Sequence, residues 1–352
     1  MPRFQEYGLR VGQFPSGKNN AITDVEGVAV GHMTLIEGSE IRTGVTAVLP
    51  HGDDIYAKPL PAAVHTINGF GKATGFEQVR ELGALETPII LTNTLSVGMA
   101  SYALADYMAG QNRGLRSVNP LVGECNDGFL NDIRGQHIQA HHVLMALQRT
   151  TPGAVTEGNV GAGTGTSCYG FKGGIGTASR KTPQGYTVGV LMQTNFGARG
   201  DLLVLGSPIG QHIPVVPEPE TPPEESPGED GSIMIVLATD APLTSRQLGR
   251  LARRVSFGLA RTGTMCDHGS GDFVVAFSTA YPLHTEAQTI TRLPDRGSEF
   301  NPLFRAVVES VEEAVYNALL AAETLRGHNG HTLHALPQDA LLHWLRHYGR
   351  LP

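Results

Sequence analysis

Residues 213–240 read IPVVPEPETPPEESPGEDGSIMIVLATD and join two stretches of opposite character at Gly231-Ser232. The first, 213–230, is rich in proline and glutamate and has no basic residue, a composition that cannot build a packed core. The second begins at once with Ile233–Ala238, an apolar run typical of a buried β-strand. The stretch therefore predicts a flexible acidic spacer followed directly by a core strand.

The Gly231-Ser232 pair at this junction fits a precursor that cuts itself. Gly231 has no side chain to resist the strained backbone that an N→O acyl shift requires. Ser232 supplies the hydroxyl, and after cleavage it would be a new N-terminal nucleophile at a strand edge. The alternative is an ordinary Pro-rich linker followed by a strand. In both interpretations the chain divides into 1–231 and 232–352.

Composition limits the class of protein. The chain has 352 residues, 40% of them hydrophobic, enough to bury a core as one large domain or two closely packed halves. Six of the seven net negative charges lie in residues 218–230, so the rest is nearly neutral. We therefore expect neither nucleic acid nor an anionic membrane as a partner.

Cysteine usage and hydropathy point to the cytoplasm. Cys125, Cys168 and Cys266 are far apart in sequence, which predicts neither a disulfide framework nor a metal site. The N-terminus has no apolar signal segment, and no apolar run approaches the ~18 residues of a membrane span. We expect a soluble, cytoplasmic protein.

Apolar periodicity predicts a mixture of strands and helices that favours an α+β or layered sandwich over a Rossmann sheet. The predicted strands are 28–36, 44–49, 88–92, 188–194, 233–239 and 273–278, and the predicted helices are 100–108, 137–148, 244–261 and 302–325.

Two sequence patterns resemble ligand sites, one for phosphate and one for a metal ion, but the spacing of their residues does not fit either. The glycine-rich stretch 158–174 lacks both the G-x-G-x-x-G spacing and a Gly-Lys-Ser/Thr, so it predicts a groove-lining backbone or a packed turn, not a phosphate site. His328, His331 and His334 share three-residue spacing, but Gly327 and Gly330 interrupt any helix between them. We expect a solvated turn there, and no metal or other cofactor.

Two polar clusters hold candidate site residues. Within 119–132, Glu124 could anchor a substrate ammonium group through a charge-assisted hydrogen bond. Asx turns around Gly128 are the alternative for the neighbouring residues, Asn126 among them. In 266–272, Ser270 and Asp272 share one side of a strand entry and could serve a neighbouring nucleophile, the alternative being a tight turn.

At these residues the chain resembles the peptidase family of L-aminopeptidase/D-amidase-esterases and β-peptidyl aminopeptidases. The resemblance spans nearly the whole length, and no single short motif carries it. Its pieces are Gly231-Ser232 with the following strand, the block 158–174, Gln193-Thr-Asn195-Phe-Gly, Asn126-Asp-Gly-Phe-Leu-Asn-Asp-Ile-Arg-Gly and Gly269-Ser-Gly-Asp272.

The resemblance implies a precursor cut before Ser232 into an α chain, 1–231, and a β chain, 232–352, that stay associated. It also implies a four-layer αββα sandwich, with the layering of N-terminal-nucleophile hydrolases but different strand connectivity, and a tetramer of such heterodimers. By the same resemblance, Ser232 is the nucleophile and Asn195 the oxyanion donor. Ser270 with Asp272 assists proton transfer, and Glu124 binds the substrate amine.

Two positions depart from the family pattern. Position 272 is Asp where relatives place Glu, which shortens its reach by one methylene. A tyrosine that lines the site in some members is replaced here by Asn126 or Phe129. We expect Asn126 to contribute to substrate binding.

The predicted activity is removal of small N-terminal residues from short peptides, amino-acid amides or esters, D-alanine and β-amino acid derivatives included, through an acyl-enzyme on Ser232. Either the freed α-amine of Ser232 or the Ser270–Asp272 pair could be the base, and the sequence does not choose between them. The alternatives are an autocleaving acyltransferase of related layering and a non-catalytic scaffold that recruits partners through its Pro-rich loop.

Overall fold

The computed structural model describes residues 3–213, 231–283, 289–298 and 300–351. The acidic tail predicted for 213–230 lies outside the described residues, apart from Ile213, so its flexibility stays a prediction.

The described strands form two large sheets and two short hairpins. In chain order they are β1 Ala29–Glu37, β2 Ile41–Leu49, β3 Leu60–Gly69, β4 Ala73–Thr74, β5 Ala84–Leu85, β6 Ile89–Asn93, β7 Leu121–Cys125, β8 Ser167–Cys168, β9 Phe171–Lys172, β10 Ile175–Lys181, β11 Thr187–Asn195, β12 Ser232–Thr239, β13 Gly271–Ser278, β14 Leu325–Arg326 and β15 Thr332–Leu333. The α-helices are α1 Phe76–Leu82, α2 Val97–Gln111, α3 Ala140–Gln148, α4 Ser245–Ala252, α5 Val255–Ala260, α6 Phe300–Ala321 and α7 Gln338–His347.

The two large sheets pack against each other and are covered by helices. The first sheet has the order β1-β2-β6-β7-β4, and the second has the order β10-β11-β12-β13-β3-β5. Helices α2 and α3 contact the first sheet, α4 and α6 contact the second, and β7 of the first touches β11 and β12 of the second. The fold is therefore α+β, as the sequence predicts, with contacts running from helix to sheet to sheet to helix.

Strand β12 lies in the middle of the second sheet and is buried on both faces. Ile233 and Ile235 belong to the apolar cluster that includes the helices α4 to α7. Met234 and Val236 belong to the cluster shared with the first sheet. A strand covered on both sides needs apolar residues at every position, which explains its unbroken apolar run. By alternation, Ser232 points to the same side as Met234, toward the first sheet.

Most predicted strands and helices are confirmed within a few residues, with one correction. The helix predicted for 244–261 is two helices, α4 and α5, because the chain makes a turn at Arg253 and Arg254. The apolar positions keep their spacing across this turn, so the pattern alone reads as one helix.

Some elements have no counterpart in the sequence prediction. Strand β10 has small and polar residues and includes Arg180, which is fully buried because it pairs with Glu313. Its sequence therefore lacks the apolar run that marks a strand. Strand β3 and helix α7 were also not predicted. Among the described residues, no helix combines the length and apolar character needed to cross a lipid bilayer.

Candidate active site

The register of the second sheet places Ser232 between two neighbours. Ser232 is the first residue of β12, lies opposite Asn195 at the end of antiparallel β11, and lies beside Gly271 at the start of parallel β13. Its side chain and backbone are almost fully buried, with 4% of the residue exposed. Backbone pairing alone therefore brings together residues that are far apart in sequence.

The first sheet reaches Ser232 through the residue that follows β7. The backbone N–H of Asn126 donates to Ser232 Oγ at 3.2 Å. The Asn126 side chain accepts from the N–H of Gly128 at 2.8 Å, which is the Asx turn considered from the sequence. Asn126 thus touches the nucleophile through its backbone, while its side chain shapes the turn.

The peptide bond before Ser232 is closely surrounded. The carbonyl oxygen of Gly231 accepts from the N–H of Gly271 at 3.1 Å. A Cβ added at Gly231 would stand 3.2 Å from Ser270 Oγ and 3.2 Å from the Asn195 carbonyl oxygen. A side chain at position 231 would crowd this junction, which explains a glycine there.

The Asn195 carboxamide is held in one orientation. Its Oδ1 accepts from both the N–H and the hydroxyl of Ser167, each at 3.1 Å. Two donors at one atom identify it as the oxygen, so the opposite atom, Nδ2, is the donor. Directly opposed residues of neighbouring strands present their side chains on one face, so this amide lies on the same side of the sheet as the Ser232 hydroxyl.

Ser270 and Asp272 form a hydrogen-bonded pair beside Gly231. Ser270 Oγ donates to Asp272 Oδ1 at 2.6 Å, and Asp272 is 1% exposed. Burial raises the pKa of the Asp272 carboxyl to about 6, although the hydrogen bond from Ser270 opposes that change. Among the described residues, neither side chain hydrogen-bonds the Ser232 hydroxyl. The pair instead faces the Gly231 side of the junction.

The loop that carries Ser270 is anchored by a residue that the sequence did not single out. Asn68 Nδ2 donates to the carbonyl oxygens of Asp267, His268 and Ser270, at 3.0, 2.9 and 2.5 Å. Asn68 lies at the end of β3, opposite Asp272. An Asn-Gly at a strand end is the signal that could have identified it.

Glu124 is a buried carboxylate on the first-sheet side. It is 2% exposed, and its Oε1 accepts from the N–H of Lys72 at 3.0 Å while its Oε2 accepts from the Thr94 hydroxyl. Burial raises the pKa of this carboxyl, and the hydrogen bond from Thr94 opposes the rise. A Cβ on Gly71 would stand 3.2 Å from Glu124 Oε1 and 3.0 Å from the Cα of Gly271. Glu124 therefore lies close to the strand beside Ser232.

The glycine-rich stretch is a packed turn wrapped around a lysine. Lys172 is fully buried, and its ammonium donates to the carbonyl oxygens of Gly163, Thr166 and Gly173 at 3.1, 2.7 and 2.8 Å. Burial lowers the pKa of this ammonium to about 7. The turn's own lysine occupies the carbonyls, which agrees with the packed-turn interpretation of 158–174.

The C-terminal histidines are partly buried rather than solvated, which corrects the sequence expectation. His331 is 7% exposed, stacks on Phe129 with ring centroids 4.5 Å apart, and contacts the Phe129 carbonyl through Nδ1 at 2.9 Å. Within the part of the chain that the structure describes, no three His, Cys, Asp or Glu side chains group closely enough to hold a metal ion.

Known proteins match the chain over almost its whole length. The model of peptidase family S58 matches residues 20–333. The β-peptidyl aminopeptidase BapA of Sphingosinicella microcystinivorans is 41% identical over 374 residues, covering 99% of this chain and 93% of that protein.

Two solved structures have the same fold. A protein from Pyrococcus horikoshii OT3 superposes with a TM-score of 0.91 at 48% identity, covering 99% of this chain and 100% of that one. The L-aminopeptidase D-Ala-esterase/amidase from Ochrobactrum anthropi, described as a variant of the Ntn hydrolase fold, gives a TM-score of 0.91 at 39% identity over 100% of both chains. The resemblance drawn from the motifs is confirmed: the chain belongs to peptidase family S58.

Proposed function

We propose that this chain is a serine aminopeptidase and amidase that first cuts itself between Gly231 and Ser232. The observation that carries the proposal is the strand register that sets Ser232 between Asn195 and Gly271. The register gives one hydroxyl a fixed amide donor on one side and a hydrogen-bonded carbonyl, that of Gly231, directly before it.

Self-cleavage begins when Ser232 Oγ attacks the carbonyl carbon of Gly231. The acyl group passes from the Ser232 nitrogen to its oxygen, the nitrogen takes up a proton, and water then hydrolyses the ester. The Gly271 N–H, 3.1 Å from the Gly231 oxygen, supports the negative charge that develops there. The Ser270–Asp272 pair lies on the Gly231 side and serves the proton transfer to the departing nitrogen.

Substrate turnover uses the same hydroxyl after processing. Ser232 Oγ attacks the substrate carbonyl, the amine or alcohol leaves with a proton, and water resolves the acyl-enzyme. Asn195 Nδ2 donates to the oxyanion. Two bases remain open: the freed α-amine of Ser232, with an ordinary pKa of about 7.7–8.0, and Asp272 acting through Ser270.

Glu124 selects substrates with a free amino end. A buried carboxylate that keeps two hydrogen-bond partners stays in place to receive an ammonium group. Short peptides, amino-acid amides and esters with a free amine therefore fit the site. The names of the relatives add D-alanine and β-amino acid derivatives to the compounds to be assayed.

The intact-mass spectrum of the purified protein tests the proposal. Wild type should give two fragments, 1–231 and 232–352, and hydrolyse amino-acid p-nitroanilides. The Ser232→Ala variant should give one uncut chain without activity. Two fragments from Ser232→Ala, or full activity from an uncut wild-type chain, would refute the proposal.

Assembly of the processed chains into a tetramer of αβ heterodimers stays a prediction. The molar mass from light scattering checks it, since a single heterodimer in solution would contradict it.

A further inference from the structure

Lys172 is a buried lysine that the proposed chemistry does not use. Burial lowers its pKa to about 7, but three carbonyl acceptors around Nζ favour the ammonium, with three N–H donors, over the neutral amine, which has two. Taking an ammonium group out of water is costly unless every donor is satisfied. Lys172 meets this condition with backbone carbonyls alone, since its three donors reach Gly163, Thr166 and Gly173. An apolar side chain of similar length could fill the same volume without that cost. Filling space therefore does not explain the ammonium, and its hydrogen bonds to the three carbonyls are the contribution to be explained.

The three carbonyls bracket the residue that orients Asn195. Thr166 directly precedes Ser167, and Ser167 pairs with Lys172 across the β8–β9 hairpin. Ser167 then donates twice to Asn195 Oδ1. Two hydrogen-bonded steps thus connect the buried ammonium to the amide opposite Ser232.

The same hairpin is fastened to the chain just after Asn195. The N–H of Tyr169 donates to the carbonyl oxygen of Phe196 at 2.7 Å. Cys168 and Phe196 form an isolated parallel β-bridge through their backbones. The hairpin therefore hydrogen-bonds both the side chain of Asn195 and the backbone that follows it. A shift of Ser167 within the hairpin would move the amide relative to Ser232.

We propose that Lys172 is a positioning residue for hydrolysis. Its ammonium fixes the turn so that Ser167 holds the Asn195 carboxamide with the Nδ2 donor facing the carbonyl under attack. This inference rests on the proposed function, because it acts through the oxyanion role of Asn195. Among the described residues, the Lys172 ammonium hydrogen-bonds backbone carbonyls and not Ser232.

A double-mutant cycle with Lys172→Met and Asn195→Ala tests it, with kcat and KM measured on an amino-acid p-nitroanilide using processed protein. Lys172→Met should lower kcat roughly tenfold to hundredfold, because a misplacement of about 1 Å has an effect of that size, and leave KM within about twofold. In the Asn195→Ala background, Lys172→Met should cause no further loss. Losses that multiply in the double variant, or a raised KM with unchanged kcat, would overturn the proposal.

Cys168→Ala is the matched control, since it removes a buried side chain from the same hairpin without touching Ser167, Lys172 or Asn195 side-chain bonds. It should lower thermal stability while kcat stays within about twofold. A kcat loss as large as that of Lys172→Met would show that any loosening of the hairpin suffices, and would overturn the specific role of the ammonium.

Ser167→Ala carries the test if Lys172→Met does not fold. It deletes one of the two donors to Asn195 Oδ1, so kcat should fall several-fold in the wild-type background and not at all with Asn195→Ala. No loss, or equal loss in both backgrounds, would contradict the proposal. An inactive wild type, or an Asn195→Ala variant with full kcat, would instead refute the proposed function itself.

Discussion

The two sheets hold their parts of the site in different ways. On the second-sheet side, Asn195 and Gly271 are the direct ladder partners of Ser232, so backbone hydrogen bonds of a central strand set their positions. On the first-sheet side, Glu124 and Asn126 lie at and just beyond the end of β7. The Glu124 backbone pairs with Thr92 of β6, but its side chain is held by contacts to neighbouring loops, such as that from the Lys72 N–H.

With the roles proposed above, this difference would separate bond breaking from recognition. If the backbone of a residue paired with β12 moved, the register of that strand would shift. Because β12 is buried on both faces, such a shift would misplace its apolar side chains and destabilise the fold. A residue beyond the end of a strand, such as Asn126, tolerates change, because only local hydrogen bonds depend on it. We therefore expect variants of the second-sheet residues to alter kcat and variants of the first-sheet residues to alter substrate choice.

The largest effect on turnover among these variants is expected for Asn195→Ala. Loss of one preoriented oxyanion donor typically lowers kcat by roughly 10²–10³-fold, and KM should change little. Steady-state kinetics of processed enzyme measure both. Asn195→Asp is the control matched in size: it lacks the N–H donor and adds a negative charge that opposes the oxyanion, so it should be at least as slow. An unchanged kcat in either variant would dismiss Asn195 as the donor.

Glu124→Gln should act on recognition instead. The variant keeps the shape of the side chain but loses the charge, and a hydrogen bond to a charged group contributes about 1.5–3 kcal/mol. We expect kcat/KM on free-amine substrates to fall roughly 10- to 100-fold, with self-processing unaffected. Glu77→Gln, an exposed carboxylate of α1, is the control that should change nothing.

The comparison with N-acetylated substrates sharpens the Glu124 prediction. Wild type should discriminate strongly against an N-acetyl p-nitroanilide, and Glu124→Gln should lose most of that discrimination. A wild-type enzyme that hydrolyses both substrates equally would remove the anchoring role.

The sequence predicts the strands that are buried on both faces and misses those that depend on partners. Strand β12 has an apolar run, and its first residue follows a segment that cannot pack, so its start is predicted to within one residue. Strand β10 is different, because Arg180 within it is buried where Glu309 and Glu313 of α6 neutralise it. No local pattern can report a partner that lies more than a hundred residues away.

For the site, the sequence supplies the residue types but not which of them lie opposite each other in the sheet. Glycine before serine, and Ser270 two residues before Asp272, are local features that chemistry can interpret. The pairing of Asn195 with Ser232 is tertiary, as is the path from Lys172 through Ser167. A lysine within a glycine-rich run without acidic neighbours was the available signal, and its buried role follows only from the fold.

Asp272 predicts a pH effect that distinguishes the two candidate bases. With its pKa raised to about 6, Asp272 is ionised above that pH and protonated below it, and only the ionised form accepts the Ser270 proton. If this pair is the base, kcat should fall below about pH 6, and Asp272→Asn should be slower at neutral pH and lack that acidic limb. Asp272→Glu should retain both the rate at neutral pH and the acidic limb of the profile.

The α-amine would give a different profile. Its ordinary pKa of about 7.7–8.0 would place the fall in rate near pH 8, and that limb would persist in Asp272→Asn. A pH–rate profile of both enzymes therefore decides between the bases. A profile of Asp272→Asn identical to wild type in shape and height would remove Asp272 from turnover altogether.

The smallest effect is expected for Asn126→Ala. The contact with Ser232 Oγ uses the backbone N–H, which alanine keeps, and within the described part of the chain the side chain hydrogen-bonds the turn at Gly128. We expect kcat to change by less than about threefold, since loss of one exposed hydrogen bond costs roughly 0.5–1.5 kcal/mol and loosens only the turn. A large rise in KM confined to substrates with one kind of side chain would show instead that the Asn126 side chain contacts the substrate. Recognition would then extend from the Glu124 carboxylate into the turn after β7.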